Sequence, residues 1–209
     1  MTLDVRLLAI AGPPALDAEE LLDACRAAEA GGVTAVQVRF KDAPAGELLR
    51  LTERLVETLH IPVYVNDRAD VAWAARAHGV HLGADDVPAA AIRRLAPRPF
   101  RIGVSVGTPA EAAGMRDADV DYWSIGPVYA TATKPDAGRP IGLATFSDLA
   151  NRAPEATPVI AIGGIGPGNA ADVLAAGADG VAVSSALFGA ADVGRVAGEL
   201  RRIVDGVRR

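Results

Sequence analysis

The sequence is poor in cysteine and in basic charge, and each shortage excludes a class of protein. Its single cysteine, Cys25, cannot form a disulfide within the chain, which fits a reducing compartment. Acidic residues outnumber basic ones by 26 to 21, giving a net charge of -5, whereas a nucleic-acid-binding protein normally has a strongly basic face. No apolar run approaches the roughly 20 residues of a membrane span, and the N-terminus lacks the pattern of a signal peptide. We therefore expect a cytoplasmic protein that binds neither nucleic acid nor membranes, while its oligomeric state, a homo-oligomer included, stays open.

Lysine is also scarce. Only two of the 21 basic residues are lysines, Lys41 and Lys134. The rest of the positive charge is carried by arginine, so either a compact ammonium group is required at these two positions or the choice is accidental.

Short apolar runs rich in valine and isoleucine alternate with Ala-rich amphipathic segments, and the runs are typical of strands in a buried parallel sheet. The eight runs are 5–11, 35–40, 62–66, 79–82, 101–106, 121–125, 159–162 and 180–184. Helices are predicted at 17–30, 44–59, 69–78, 88–96, 108–117, 144–152, 168–176 and 192–207. Eight β-α pairs without a break in composition predict one α/β domain over residues 1–209, a (β/α)8 TIM barrel. The alternative, an open doubly wound sheet, usually has fewer strands and a G-x-G-x-x-G turn after the first one, where this chain has Ala-Gly-Pro-Pro.

The second predicted strand ends with alternating polar residues. Gln37, Arg39 and Lys41 share one face, because side chains alternate along a strand. Inside a barrel these groups would be costly unless they met an anion or a counter-charge. The spacing favours a clamp for a polyphosphate, and the alternative is a solvated strand end.

Carboxylates follow the third and fourth predicted strands. Asp67 ends one run, and either Asp85 or Asp86 follows the next, so adjacent strands bring two carboxylates to one face. Mg²⁺ is commonly held by one or two carboxylates together with substrate phosphates. A magnesium site beside the clamp is one interpretation. Helix N-caps and surface ion pairs, for example of Arg68 with an aspartate, are the other.

The long connection at 126–142 is a further candidate, because long loops in compact domains tend to be functional or disordered. In a barrel it lies on the C-terminal face, where active sites form. Thr131, Thr133 and Lys134 could hold phosphate oxygens and a leaving group there, or could belong to a flexible polar loop.

The last two strands carry a phosphate-binding pattern. Gly163 and Gly164 follow strand seven, and Ser184-Ser185 opens a short helix after strand eight. In many such barrels these segments cradle a phosphate with backbone N–H groups.

Ser105 at the end of strand five either donates to a phosphate or is an ordinary strand-end hydroxyl. His81 is interpreted as a packed core residue.

Seven segments occur in the order of one known family and span nearly the whole chain. They are Q-V-R-F-K at 37–41, V-N-D-R-A-D at 65–70, G-V-H-L-G-A-D-D at 79–86, I-G-V-S-V at 102–106, D-Y-W-S-I-G-P-V-Y-A-T-A-T-K at 121–134, A-I-G-G-I at 161–165 and G-A-D-G-V-A-V-S-S-A at 177–186. Together they resemble the thiamine phosphate synthase family.

The resemblance implies a role for each candidate residue. The pyrimidine diphosphate substrate would be contacted by Gln37, Arg39, Lys41, Asn66, Ser105 and Lys134. The thiazole phosphate would be bound by Thr131, Thr133, Gly164, Ser184 and Ser185. Asp67 and Asp86 would hold Mg²⁺, with Asp86 preferred to Asp85 by register. The catalytic candidates are Arg39, Lys41 and Lys134, which would neutralise the leaving pyrophosphate. Departures from the family pattern at Ala84, Gly107 and Ser184 remove no clamp or metal group.

The implied reaction couples 4-amino-2-methyl-5-hydroxymethylpyrimidine diphosphate to 4-methyl-5-(2-phosphoethyl)thiazole, giving thiamine phosphate and pyrophosphate. Two alternatives stay in view. A thiazole tautomerase of the same fold would need a positioned acid and base but no diphosphate clamp. A non-catalytic sensor of phosphate ligands would keep the cradle and lose Asp67 or Lys134, and both residues are present.

Overall fold

The predicted barrel is confirmed. The structure is a computed structural model, and it describes residues 3–12, 17–131 and 138–207. Its strands are β1 (Leu7–Ala11), β2 (Ala35–Val38), β3 (Val63–Asn66), β4 (Gly79–Leu82), β5 (Arg101–Val106), β6 (Tyr122–Ile125), β7 (Val159–Ile162) and β8 (Gly180–Val183). Each strand pairs in parallel with the next, and β8 pairs with β1, so the sheet closes. The carboxyl ends of all eight strands therefore meet around one rim.

The helices follow the strands as the amphipathic segments predict. They are α1 (Ala18–Ala30), α2 (Ala45–Thr58), α3 (Ala69–Ala74), α4 (Ala89–Leu95), α5 (Pro109–Met115), α6 (Gly142–Ala150), α7 (Ala170–Ala175), α8 (Ser185–Phe188) and α9 (Val193–Gly206). Asp17 caps α1 and Thr108 caps α5, each in a capping box with a glutamate three residues later. Among the described residues, no helix is long and apolar enough to cross a membrane.

The period of two along each strand divides the core into two parts. Outward residues such as Val36 and Val38 pack against the helices. Inward residues fill the barrel, and the lower interior is apolar and aromatic, with Ala35, Tyr64 and Tyr122 in contact. Two residues further along, towards the rim, the inward positions become polar. They are Gln37, Asn66 and Ser124. These three polar groups therefore lie near the carboxyl ends of their strands.

An ion cluster lies near the opposite end of the barrel, immediately before β6. The Asp121 side chain is 2% exposed and accepts hydrogen bonds from Arg93 Nη2 at 2.6 Å and Arg101 Nη1 at 2.9 Å. Its Oδ2 also accepts from the backbone N–H of Ile102 at 2.8 Å. The cluster fixes the approach to β6 against the start of β5.

Trp73 is a large apolar residue that the core leaves exposed. Its residue exposure is 58%, and its ring meets Phe100 edge-on at the wall of a surface cavity of about 550 Å³. The helix α3 has only six residues, and it buries Val71 and Ala72. Trp73 lies on the next side of this short helix, so the core does not cover it.

Candidate active site

The first candidate group, Gln37, lies inside the barrel near the end of β2. It is 2% exposed, and its amide nitrogen Nε2 has no hydrogen-bond partner in the part of the chain that the structure describes. A buried donor without an acceptor costs free energy, about 1–3 kcal/mol, so such a group in a native fold needs an explanation. A bound ligand that accepts from this amide supplies one.

The cations of the predicted clamp follow β2 along the rim. The backbone N–H of Arg39 donates to Ala11 O at 2.7 Å, which holds the β2 end beside the β1 end. A Cβ on Gly12 would lie 2.5 Å from the Arg39 carbonyl oxygen, so this close approach needs a glycine. Lys41 Nζ lies 3.9 Å from Asp67 Oδ2 on the neighbouring strand end. The predicted clamp and the predicted metal group are therefore adjacent.

The two predicted carboxylates meet. The Asp67 side chain is within hydrogen-bonding reach of the Asp86 side chain, whose Oδ2 accepts from the Gly83 N–H at 2.6 Å. Asp85 is exposed, so it is Asp86 that faces Asp67. Arg68 pairs with Asp70 at 2.6 Å, so this arginine is engaged outside the pair of facing carboxylates.

Burial and the neighbouring carboxylate perturb the titration of Asp67. Desolvation, a hydrogen bond that protonated Asp67 donates to Asp86, and the negative charge of Asp86 raise the pKa of Asp67 to about 6, against the opposing charges of Lys41 and Arg39. A divalent cation would relieve this repulsion. No group of three or more potential metal ligands occurs within residues 3–12, 17–131 and 138–207. Because Mg²⁺ needs only one or two carboxylates when water and substrate phosphates complete its shell, the donor set fits this ion.

The stabilisation of the protein by Mg²⁺ should depend on pH. The pKa of Asp67 is raised above its usual value of 3.8, so without a cation the protonated group is favoured and stability is lost as the pH rises through about 6. Mg²⁺ binds the deprotonated pair, so we expect the Mg²⁺-induced rise in Tm to be larger at pH 7.5 than at pH 5. Thermal denaturation with and without Mg²⁺ measures it. An equal rise at both pH values would contradict the assignment, and Asp67→Asn serves as the control that should abolish the difference.

The second half of the rim holds the predicted phosphate cradle. Gly163 and Gly164 have positive φ values of 99° and 65°, and a Cβ on Gly164 would lie 2.5 Å from Ala130 O. Asn169 Nδ2 donates to the Gly164 carbonyl at 2.9 Å, and its Oδ1 accepts from Gly166 N–H at 2.9 Å. This loop is thus held with its backbone packed against the segment that follows β6.

Three of the other residues predicted to contact substrate from this half of the rim are described by the structure, namely Ser184, Ser185 and Thr131. Ser184 Oγ donates to Ile10 O at 2.9 Å, and the exposed Ser185 begins α8. Since that donation uses the only hydroxyl hydrogen of Ser184, the Ser185 hydroxyl and backbone N–H groups are the donors left for an anion there. Thr131 is half-buried beyond β6. Thr133 and Lys134 lie outside the described residues.

Residue-by-residue interpretation of the sequence missed a hydrogen-bond chain inside the barrel. His81 is buried, as expected of a core residue, yet its Nε2 lies 3.0 Å from Ser105 Oγ and its Nδ1 lies 3.1 Å from Tyr122 Oη. The missed signal was the period of two, because the outward-facing Val80 and Leu82 place the residue between them inside the barrel.

Comparison with known proteins shows the family of the chain. A family model described as "Thiamine monophosphate synthase" matches residues 7–187. The thiamine-phosphate synthase of Moorella thermoacetica is 45% identical over 190 residues, 90% of each chain. That of Methanospirillum hungatei is 49% identical over 166 residues, 78% of this chain and 80% of its own.

Solved structures agree. The thiamine phosphate pyrophosphorylase from Pyrococcus furiosus has a TM-score of 0.85 and 36% identity, covering 98% of both chains. Orotidine 5'-phosphate decarboxylase from Pyrococcus horikoshii, at 15% identity and a TM-score of 0.72, shares the fold alone. The chain belongs to the thiamine monophosphate synthase family and is a transferase.

Proposed function

We propose that the chain couples 4-amino-2-methyl-5-hydroxymethylpyrimidine diphosphate to 4-methyl-5-(2-phosphoethyl)thiazole by a dissociative, Mg²⁺-assisted substitution that releases pyrophosphate. The observation that carries this proposal is the meeting of Asp67 and Asp86 beside Lys41 at the ends of adjacent strands. Paired carboxylates next to a cation suit a substrate that brings phosphates and a divalent ion together.

The diphosphate would lie along the first half of the rim. Arg39 offers a planar fork and Lys41 a point charge to its oxygens, and the buried amide of Gln37 offers a donor that needs an acceptor. Asn66 ends β3 between these groups and Ser105 on β5. Lys134 is proposed to add a third cation from the loop after β6. When bound between Asp67 and Asp86, Mg²⁺ would supply further charge neutralisation to the leaving group.

The residues at this rim would position the two reactants and neutralise the charge of the leaving group. No protein nucleophile is needed. Departure of pyrophosphate leaves a cationic methylene carbon that the amino group of the pyrimidine ring stabilises, and the thiazole nitrogen attacks that carbon. Arg39 and Lys41 would lower the barrier by stabilising the charge that develops on the departing oxygens. Holding both reactants in line would lower the barrier further, because a fixed geometry removes the entropy cost of their encounter.

The thiazole phosphate would occupy the second half of the rim. The backbone around Gly164 and the N–H groups at Ser184 and Ser185 would cradle its phosphate, with hydroxyls of Thr131 and Thr133 beside them. Strands β6 to β8 carry this half and β2 to β5 carry the clamp, so the two reactants would face each other across the barrel mouth.

The tautomerase alternative fits less well. Moving a proton on a thiazole calls for an acid or base open to the substrate, whereas both ring nitrogens of His81 already have partners. That reaction would also leave the carboxylate pair and the buried Gln37 amide without a use.

The function is tested by mixing both substrates with the protein and following pyrophosphate and thiamine phosphate. We expect both products in equal amounts, with turnover lost when Mg²⁺ is chelated. Isomerisation of the thiazole without pyrophosphate release would favour the tautomerase, and tight binding of thiazole phosphate without turnover would favour the sensor.

Replacing Gln37 by leucine should separate function from folding. The change removes a buried amide nitrogen that has no partner in the described structure, so we expect unchanged or slightly raised stability. Turnover should fall by about tenfold or more, because the substrate loses a buried donor. Urea denaturation and steady-state kinetics measure the two effects.

The matched control for Gln37→Leu is Thr34→Val. Thr34 is also buried, but its Oγ1 exchanges hydrogen bonds with both Leu7 N and Leu7 O at 3.1 Å. Its removal should cost about 1–3 kcal/mol of stability and leave turnover near that of the wild type. If Gln37→Leu behaved like this control, the amide would be structural.

A further inference from the structure

A chain of three polar side chains crosses the interior of the barrel just below the rim. Tyr122 Oη lies 3.1 Å from Nδ1 of His81, and Nε2 of the same ring lies 3.0 Å from Ser105 Oγ. The three residues come from the adjacent strands β4, β5 and β6. Tyr122 and His81 are buried, and Ser105 is half-buried at the end of the chain nearest the rim.

The direction of the hydrogen bonds in this chain follows from the tyrosine. In the part of the chain that the structure describes, the only hydrogen-bond partner of Tyr122 Oη is the His81 ring. Burial raises the pKa of Tyr122 well above its usual range, so the phenol keeps its proton. If Nδ1 of His81 carried a hydrogen, the Tyr122 O–H would be buried without an acceptor, which costs about 1–3 kcal/mol. Tyr122 therefore donates to Nδ1.

This direction sets the state of the serine. A neutral imidazole with an accepting Nδ1 carries its hydrogen on Nε2, so His81 donates to Ser105 Oγ. The Ser105 hydroxyl hydrogen is then not used by the histidine and can point towards the rim. In the opposite tautomer the hydroxyl would donate to Nε2 and would have no hydrogen for a ligand.

The tyrosine is held in place independently of its hydrogen bond. Its ring packs against Tyr64 with centroids 5.9 Å apart, and it is stacked on His81 at 5.6 Å. A Cβ on Gly103 would collide with the Tyr122 ring, so β5 leaves the space that this ring fills. Removing only the hydroxyl should therefore leave the packing intact.

We propose that Tyr122 and His81 are positioning residues that hold one histidine tautomer, so that the Ser105 hydroxyl donates its hydrogen to the pyrimidine diphosphate substrate. This inference rests on the proposed function for the identity of the acceptor. The tautomer itself is a property of the protein without substrate, and it can be measured separately.

The first test observes the tautomer directly. The chain has three histidines, so a long-range ¹H–¹⁵N spectrum of the wild-type protein at pH 7.5 gives three ring patterns, and His60→Gln and His78→Gln identify the remaining one as His81. We expect a neutral ring with its hydrogen on Nε2. A ring with hydrogen on Nδ1, or a doubly protonated ring, would overturn the proposal. This result does not depend on turnover, so a failure of the proposed function would leave it standing.

The second test is a double-mutant cycle between Tyr122→Phe and Ser105→Ala. We expect Tyr122→Phe to lower kcat/KM about tenfold in the wild-type background, and to have almost no effect when Ser105 is already alanine. Tyr64→Phe, which removes a neighbouring hydroxyl in the same interior, should change kcat/KM by less than about twofold. An equal effect of Tyr122→Phe in both backgrounds, or no effect in the wild-type background, would overturn the proposal.

Discussion

Asp67→Asn should lower turnover by about a hundredfold or more while leaving the protein at least as stable as the wild type. The amide keeps the shape of the carboxylate and removes the charge that the proposed Mg²⁺ site needs. It also ends the repulsion between Asp67 and Asp86, which contributes to a raised pKa of about 6 at Asp67. Above that pH the wild type without Mg²⁺ carries an unfavourable charge that the variant lacks, so the variant should gain stability there.

The backbone makes asparagine the right replacement. Asp67 has a φ of 64°, in the left-handed region, where asparagine and aspartate are tolerated and other residues with a Cβ are strained. Asp67→Ala should therefore lose about 1–2 kcal/mol of stability in addition to its activity. The pair of variants separates the effect of the charge from that of the backbone, because both lose turnover and only one loses stability.

Asp85→Asn is the matched control. Asp85 lies one residue before Asp86, is exposed, and is an equally acidic position in the same turn. We expect its turnover and its Mg²⁺ dependence to stay within about twofold of the wild type. Steady-state kinetics over a series of Mg²⁺ concentrations, with thermal denaturation of each variant, makes the comparison. Near-normal turnover of Asp67→Asn would remove Asp67 from the metal site.

The carboxylate pair also indicates how far the sequence alone can lead. That Asp67 and an aspartate after β4 lie together follows from parallel strands ending at one rim, and the structure agrees. The choice between Asp85 and Asp86 depends on a turn closed by the Gly83 N–H, and apolar periodicity carries no information about it. Register and the family resemblance together favour Asp86, and the geometry places that residue opposite Asp67.

Contacts across the barrel are less accessible to sequence reasoning than its layout. The strands follow from valine and isoleucine runs, and the period of two shows which positions face inward. The same period does not say that His81 reaches both Tyr122 and Ser105, because this depends on the relative heights of three strands. The exposure of Trp73 is likewise hard to predict, since it follows from the length of α3 and not from the amphipathic pattern around it.

Asp121→Ala should have the largest effect on stability, about 3–5 kcal/mol. The carboxylate is 2% exposed, and its removal leaves Arg93, itself 10% exposed, without its closest counter-charge. The backbone N–H of Ile102 also loses its bond to Oδ2. For a chain of 209 residues this corresponds to a fall in Tm of roughly 10 °C.

Asp119→Ala provides the matched control for this loss. Asp119 accepts from Arg98 at 2.6 Å, but its side chain is 55% exposed, so its removal should cost no more than about 1 kcal/mol. Urea and thermal denaturation compare the two variants. An Asp121→Ala protein as stable as Asp119→Ala would mean that Arg93 and Arg101 find water or other partners when the carboxylate is removed.

Asp121→Ala also tests whether the residues that stabilise the fold and those that carry the chemistry lie at opposite ends of this barrel. Asp121 precedes β6, whereas every proposed substrate contact lies at the carboxyl end of a strand or beyond it. TIM barrels usually keep these two tasks on opposite faces. Turnover of the folded Asp121→Ala protein, measured well below its Tm, should therefore remain within about threefold of the wild type. A loss of turnover as large as that of Asp67→Asn under those conditions would mean that the ion cluster also fixes the position of β6 along the barrel axis. The position of the Tyr122 hydroxyl, which faces His81, would then depend on the cluster as well.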